Sequence, residues 1–211
     1  MARSAVPFDP QPHLQAIAAI ARDSKEYQGH GWGCAWLVDG DWRLYHDIKP
    51  IWEDVLPDVP DTTCLVVHAR SAFRDEGIVV ENNMPFCDGR FVFAFNGELR
   101  GVRIKEEGRI GAEKIFNYVK RFDHGDMTQA LQRGTEVIER RSRYVRAMNI
   151  VMASADQALI SSRYGEDPDY FQLRTRVMDG VRVISSQPYP GSDDWQLIDN
   201  GRTCAVTALD D

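Results

Sequence analysis

The hydrophobic repeat changes its period twice along this 211-residue chain, and that change limits the fold more than any single residue does. After a short start, residues 13–25 carry Leu14, Ile17, Ala18 and Ala21 at helical spacing behind Pro10 and Pro12. Apolar runs at 34–38 and 42–45 flank Asp39-Gly40-Asp41, which reads as a hairpin. The runs at 64–68 and 90–95 read as buried strands. The period then lengthens. Residues 112–122 place Ile115, Phe116 and Val119 on one face, and 127–141 do the same with Ala130, Leu131, Val137 and Ile138, across a break at His124-Gly125-Asp126. Strands are expected again at 148–153, 158–162, 171–174, 181–185 and 204–207. Strands, a helix pair and further strands are best buried as an α+β fold, two antiparallel sheets face to face with helices outside. No linker, repeat or low-complexity segment interrupts the pattern, so one domain over 1–211 is expected.

Composition narrows the function. A net charge of −7 disfavours a phosphate-binding face, and the one dense basic run, Arg140-Arg141-Ser142-Arg143, lies where a last helical turn attracts cations. Nucleic acid is therefore not expected as a partner. The expected partner is a small polar ligand, with or without a protein. The four cysteines, Cys34, Cys64, Cys87 and Cys204, form no CxxC pair and read as reduced thiols. No apolar stretch approaches the roughly 18 residues of a membrane span, and the first residues lack a signal-peptide core. A cytoplasmic location, with no membrane association, is the expectation.

Four short motifs sit where apolar runs meet polar residues: Gly31-Trp32-Gly33, His68-Ala69-Arg70-Ser71-Ala72, Asn82-Asn83-Met84-Pro85-Phe86 and Phe95-Asn96-Gly97-Glu98. Arg70, just past a buried strand, is placed to grip a carboxylate with its planar fork, or else to pair with a neighbouring acid. Asn96-Gly97 supplies an amide side chain and a close-approaching backbone N–H for an oxyanion, or else a tight turn. Trp32 and His68 each have a plain packing role as the alternative, and His30 reads as a polar turn residue. No His, Cys or acid cluster has metal spacing, and no G-x-G-x-x-G, P-loop or G-x-S-x-G pattern occurs. Neither a metal nor a cofactor is expected.

In this order the motifs resemble the class II glutamine amidotransferases, members of the N-terminal-nucleophile hydrolases, and most of all the compact stand-alone type. The resemblance extends to Ser161-Ser162-Arg163-Tyr164-Gly165 and to Ile184-Ser185-Ser186-Gln187-Pro188 ahead of Trp195. It implies a four-layer αββα sandwich and hydrolysis of the side-chain amide of glutamine or of a γ-glutamyl compound. In that family a cysteine exposed by loss of the initiator Met attacks the amide, its own α-amine acting as base. By position, Arg70 corresponds to the carboxylate anchor, and Asn96 and Gly97 to the oxyanion hole. His68, Trp32, Gly33 and Glu98 correspond to substrate-binding positions. A separate synthase subunit is implied as a possible recipient of the ammonia.

The departures from the family are specific. The nucleophile position is Ala2, which has nothing to attack with, as in a knockout or a natural variant. Phe95 and Met84 stand where relatives carry His. The acid that pairs with the substrate α-amine maps to Gly111, leaving Glu98 or Glu113 as candidates. Without that charge-assisted bond, binding of free glutamine weakens by on the order of 1.5–3 kcal/mol, which favours γ-glutamyl or other amides. Two readings follow: an amidotransferase, or a catalytically inactive relative that binds a carboxylate ligand or a protein partner.

Overall fold

The computed structural model describes residues 1–72, 74 and 76–206. Two antiparallel sheets dominate it. The larger holds β1 (Ala2–Phe8), β2 (Trp32–Val38), β3 (Asp41–Asp47), β4 (Thr62–Ala69), β9 (Arg174–Met178), β10 (Val181–Ser185) and β11 (Gln196–Leu197), in the spatial order β11-β9-β10-β1-β4-β2-β3. The smaller holds β5 (Phe86–Cys87), β6 (Val92–Arg100), β7 (Tyr144–Ala153), β8 (Ala158–Ser161) and β12 (Thr203–Val206), in the order β12-β8-β7-β6-β5. The helices are α1 (Gln11–Arg22), α2 (Gly111–Lys120), α3 (Met127–Arg140) and the single turn α4 (Pro168–Phe171).

Three separate apolar clusters define four layers. Leu14 and Ala21 of α1 pack on Trp32, Cys34, Leu65 and Val183, the outer face of the larger sheet. Ala35, Leu37, Cys64 and Val66 meet Val92, Ala94, Ala153 and Ile160 between the sheets. Ile115, Phe116, Leu131 and Ile138 of α2 and α3 cover Phe93, Met148, Ile150 and Met152 on the outside of the smaller sheet. Strands buried on both faces need continuous apolar runs rather than alternation, and the central strands β2, β4 and β7 have them. The result is the αββα sandwich expected from the sequence.

Local chemistry sets the helix ends. Asp126 caps α3, its carboxylate accepting from the Gln129 N–H at 3.0 Å. Helix α2 begins behind Ile110, whose side chain cannot cap, so its first turn presents bare amides.

Several expected boundaries move. Residues 2–8 form the strand between β10 and β4, because their backbone groups find partners on both sides. The expected strand at 171–174 is wrong: Pro168 starts a helical turn that buries Phe171, and the next strand begins at Arg174. Asn96-Gly97 is no turn. Strand β6 runs through it to Arg100, paired with β7 throughout and bulged between Glu98 and Leu99. Strand β7 starts four residues earlier than expected, at Tyr144. Of the expected strand 204–207, residue 207 lies outside the described residues.

Candidate functional site

The C-terminal end of β4 and the middle of β6 face each other across the two sheets. His68 bridges them, its Nε2 lying 3.1 Å from the Phe95 carbonyl. The Phe95 N–H donates to Met84 Sδ at 3.3 Å. Phe95 is thus held from both sides, which fixes the strand just before Asn96. His68 needs Nε2–H for this bond. Burial lowers its pKa to about 4, so the imidazole is neutral and serves as a positioning group.

Arg70 follows directly. Its N–H donates to the Gly31 carbonyl at 2.9 Å, and its own carbonyl accepts from His30 N–H at 3.0 Å. The Ala72 N–H donates to His30 Nδ1 at 2.9 Å. His30 therefore braces the Arg70 segment through its backbone and ring. The Arg70 side chain is only 6% exposed. One of its terminal nitrogens donates to the Gly77 carbonyl at 3.0 Å, and Asn82 donates to the same oxygen at 2.9 Å. Among the described residues no carboxylate pairs with Arg70, and burial alone lowers its pKa. A desolvated guanidinium without a counter-ion is costly unless a ligand supplies one.

Both strands open onto a cleft of about 780 Å³. His68 and Arg70 line it with Asn96, Gly97 and Glu98 of β6. The Asn96 side chain makes no hydrogen bond among the described residues, so its amide is free to donate. Gly97 has a sufficient packing reason to be glycine, since a Cβ there would overlap the Ala147 carbonyl of β7. Glu98 is committed: Arg100 donates to it at 2.6 Å and Arg146 lies 3.7 Å away.

The cleft also has lining residues that the motifs did not reveal. Leu99, Val102, Ile104, Ile110 and Ile115 contribute apolar side chains to it, and Arg109 and Lys114 line it as well. Arg109 pairs with Glu113 at 2.6 Å, which holds that acid below the usual carboxylate range. Gly111 lines the cleft too, and a Cβ there would meet nothing within 4 Å, so the first turn of α2 is bare at this point. Arg146 of β7 lines the cleft as well. It bonds Glu26 at 2.6 Å and Asp167 at 2.7 Å, packs 5.0 Å over the Phe171 ring, and its pKa is raised by these partners. An arginine inside an otherwise apolar strand, Tyr144-Val145-Arg146-Ala147-Met148, was the sequence signal available for it.

Three expected site residues lie elsewhere. Trp32 is fully buried on the α1 side of the larger sheet, its indole N–H donating to Asp54 at 3.0 Å. Gly33 pairs with His68 in register, in contact with His46 and the Met84 carbonyl, and does not line the cleft. Ala2 is buried in the same cluster as Trp32, Leu14 and Cys34, and it too is not a lining residue. The Met1 amine donates to the Ile184 carbonyl at 2.9 Å. Cys34, a conceivable substitute nucleophile, is pushed up to about 12 by burial and stays a thiol. The late Ser185-Ser186-Gln187 motif fastens α4, with Gln187 donating to the carbonyls of Asp169 and Tyr170. Among the described residues no His, Cys, Asp and Glu group has the geometry to hold a metal ion, and no helix is long and apolar enough to cross a membrane.

No family profile matches the sequence, and no curated protein does either. Solved structures do match. A glutamine phosphoribosylpyrophosphate amidotransferase from B. subtilis superposes with a TM-score of 0.66 at 13% identity, over 88% of this chain and 40% of that one. This chain thus spans less than half of that enzyme. A predicted glutamine amidotransferase from Pseudomonas aeruginosa matches over 97% of this chain and 94% of its own, with a TM-score of 0.62 and 17% identity. A glutamine aminotransferase class-II domain protein from Silicibacter pomeroyi matches over 82% and 86%, with a TM-score of 0.61 and 16% identity. Two sheets of seven and five antiparallel strands between helices, superposing on these structures, give this chain the fold of the class II glutamine amidotransferases.

Proposed function

We propose that residues 1–211 form one amidotransferase-like domain whose cleft binds a carboxylate ligand of the glutamine or γ-glutamyl type. The observation that carries this reading is Arg70, buried to 6% exposure and lacking a carboxylate partner among the described residues. A ligand carboxylate on Arg70 supplies the missing charge, in the bidentate geometry a guanidinium favours. Asn96 is then positioned to donate to the amide carbonyl, with the Gly97 backbone beside it. Calorimetry with glutamine, glutamate and γ-glutamyl compounds, on this chain and on Arg70→Ala, tests it. Heats that are the same for both proteins sink the pocket reading.

We further infer a binding role rather than hydrolysis. Alanine carries no nucleophile, and Ala2 packs behind the larger sheet, in the α1 layer. Restoring a thiol by Ala2→Cys is therefore expected to release neither ammonia nor glutamate from glutamine. Turnover in that variant would instead favour the enzymatic reading, with ammonia delivered to a separate synthase subunit.

A further inference from the structure

The charges and the apolar wall of the cleft point to a narrower ligand class than glutamine. We propose that the cleft selects carboxylate amides that carry an apolar substituent in place of a free ammonium group. This rests on the reading of the cleft as a ligand pocket anchored by Arg70.

The first observation is how the acids are used. Glu26 and Glu98 line the cleft, and both are already bound to arginines, Glu26 to Arg146 at 2.6 Å and Glu98 to Arg100 at 2.6 Å. An incoming ammonium would have to share those carboxylates with the arginines. Glu76 is the only lining acid without a partner among the described residues, and it is exposed at the rim. On the cationic side, among the described residues neither Arg70 nor Lys114, both lining the cleft, has an ion pair. The first turn of α2, at Gly111 and Ala112, has no side-chain cap and adds its positive dipole end on the same side, with Glu113 of that turn already paired to Arg109. With the ligand carboxylate on Arg70, a ligand ammonium faces Lys114 on this side, with Glu76 at the surface as the one unengaged lining acid among the described residues.

The second observation is independent of charge. Leu99, Val102, Ile104, Ile110 and Ile115, which also pack into the core under α2, all line a space of about 780 Å³, which lies in the size range of pockets for drug-sized ligands. The polar body of free glutamine leaves that surface wet. An acyl or aryl group attached to nitrogen both removes the ammonium and covers the wall. Carboxylate on Arg70, amide at Asn96 and substituent against the apolar lining residues give each part of such a ligand a chemically matched contact.

The test is titration calorimetry with glutamine, N-acetylglutamine and N-phenylacetylglutamine on this chain, on Arg70→Ala and on Lys114→Glu. N-acetylglutamine is expected to bind about fivefold tighter than glutamine, the scale of one like-charge contact in solvent-accessible surroundings. N-phenylacetylglutamine is expected to bind tighter still, and Arg70→Ala should weaken all three. Lys114 is exposed, so Lys114→Glu leaves the fold intact, and it should shrink the preference for the acetylated ligand. Arg70-dependent binding in which glutamine equals or exceeds the acylated ligands overturns this inference and leaves the pocket reading standing. An acyl preference unchanged in Lys114→Glu overturns its charge argument. Absence of binding by all three ligands removes the pocket reading itself.

Discussion

Two histidines make the stability of this fold sensitive to mild acid. His13, at the start of α1, is buried with its Nδ1 3.1 Å from the Tyr189 hydroxyl and its ring edge-on to Phe8. His68 ties the sheets together through the Phe95 carbonyl. Desolvation lowers each from 6.5 to about 4. A lowered pKa means that the unfolded chain binds protons which the folded chain refuses. The stabilising contribution is therefore complete above 6.5 and is lost as the pH falls from 6.5 towards 4. Between pH 7 and pH 5 each histidine costs about 2 kcal/mol, from 1.36 kcal/mol per pH unit over the interval in which only the unfolded chain is charged. His46, lowered in the same direction by burial, adds to the fall. The depressed carboxylates Asp54, Asp88 and Glu113 lose their stabilisation only near and below their ordinary values of about 4, outside this window. Urea unfolding at pH 7, 6 and 5 measures the effect. His13→Gln and His68→Gln should each remove about 2 kcal/mol of the decrease between pH 7 and pH 5, and the double variant should flatten most of it. A stability that does not change from pH 7 to pH 5, or that falls equally in the double variant, refutes the assignment of neutral buried histidines.

Other expectations concern single contacts. Gly97→Ala forces a methyl into the Ala147 carbonyl and should destabilise the fold by about 1–3 kcal/mol, read as a lowered urea midpoint; a midpoint equal to the parent's would show that β6 and β7 can separate there. Trp32→Phe removes the bond to Asp54 and should cost about 1–2 kcal/mol of stability with ligand affinity unchanged. A selective loss of affinity would put Trp32 in the site after all. Arg146→Met leaves Glu26, Glu98 and Asp167 without their shared cation, and a loss of about 1–3 kcal/mol is expected, reduced from the fully buried case because these side chains are partly exposed. High salt should recover part of that loss by screening the remaining acids.

Much of the architecture was legible because helix and strand impose different periods on an apolar pattern. Ile115, Phe116 and Val119, with Leu131 and Ile138, lie on the faces that the 3.6-residue repeat assigned them. The boundaries were less legible. Residues 2–8 have no strand-like alternation, and they are extended because β10 and β4 stand on either side with open backbone groups. Asn96-Gly97 has the composition of a tight turn, yet its partner strand β7 carries β6 straight through it.

The candidate site divides in the same way. The sequence alone determined the sandwich, the order of the motifs, and the chemical types that converge on one end of it, Arg70 and Asn96 above all. It also determined that residue 2 carries no nucleophile. Only the tertiary structure decided that Arg70 is buried without a counter-ion among the described residues, that Glu98 is already held by Arg100 and Arg146, and that Trp32, Gly33 and Ala2 lie away from the cleft. The physical reason is that periodicity reports which face of an element is apolar, whereas the partner of a charge is set by contacts between residues far apart in the chain. Arg146 and Glu26 are 120 positions apart in sequence and 2.6 Å apart in space.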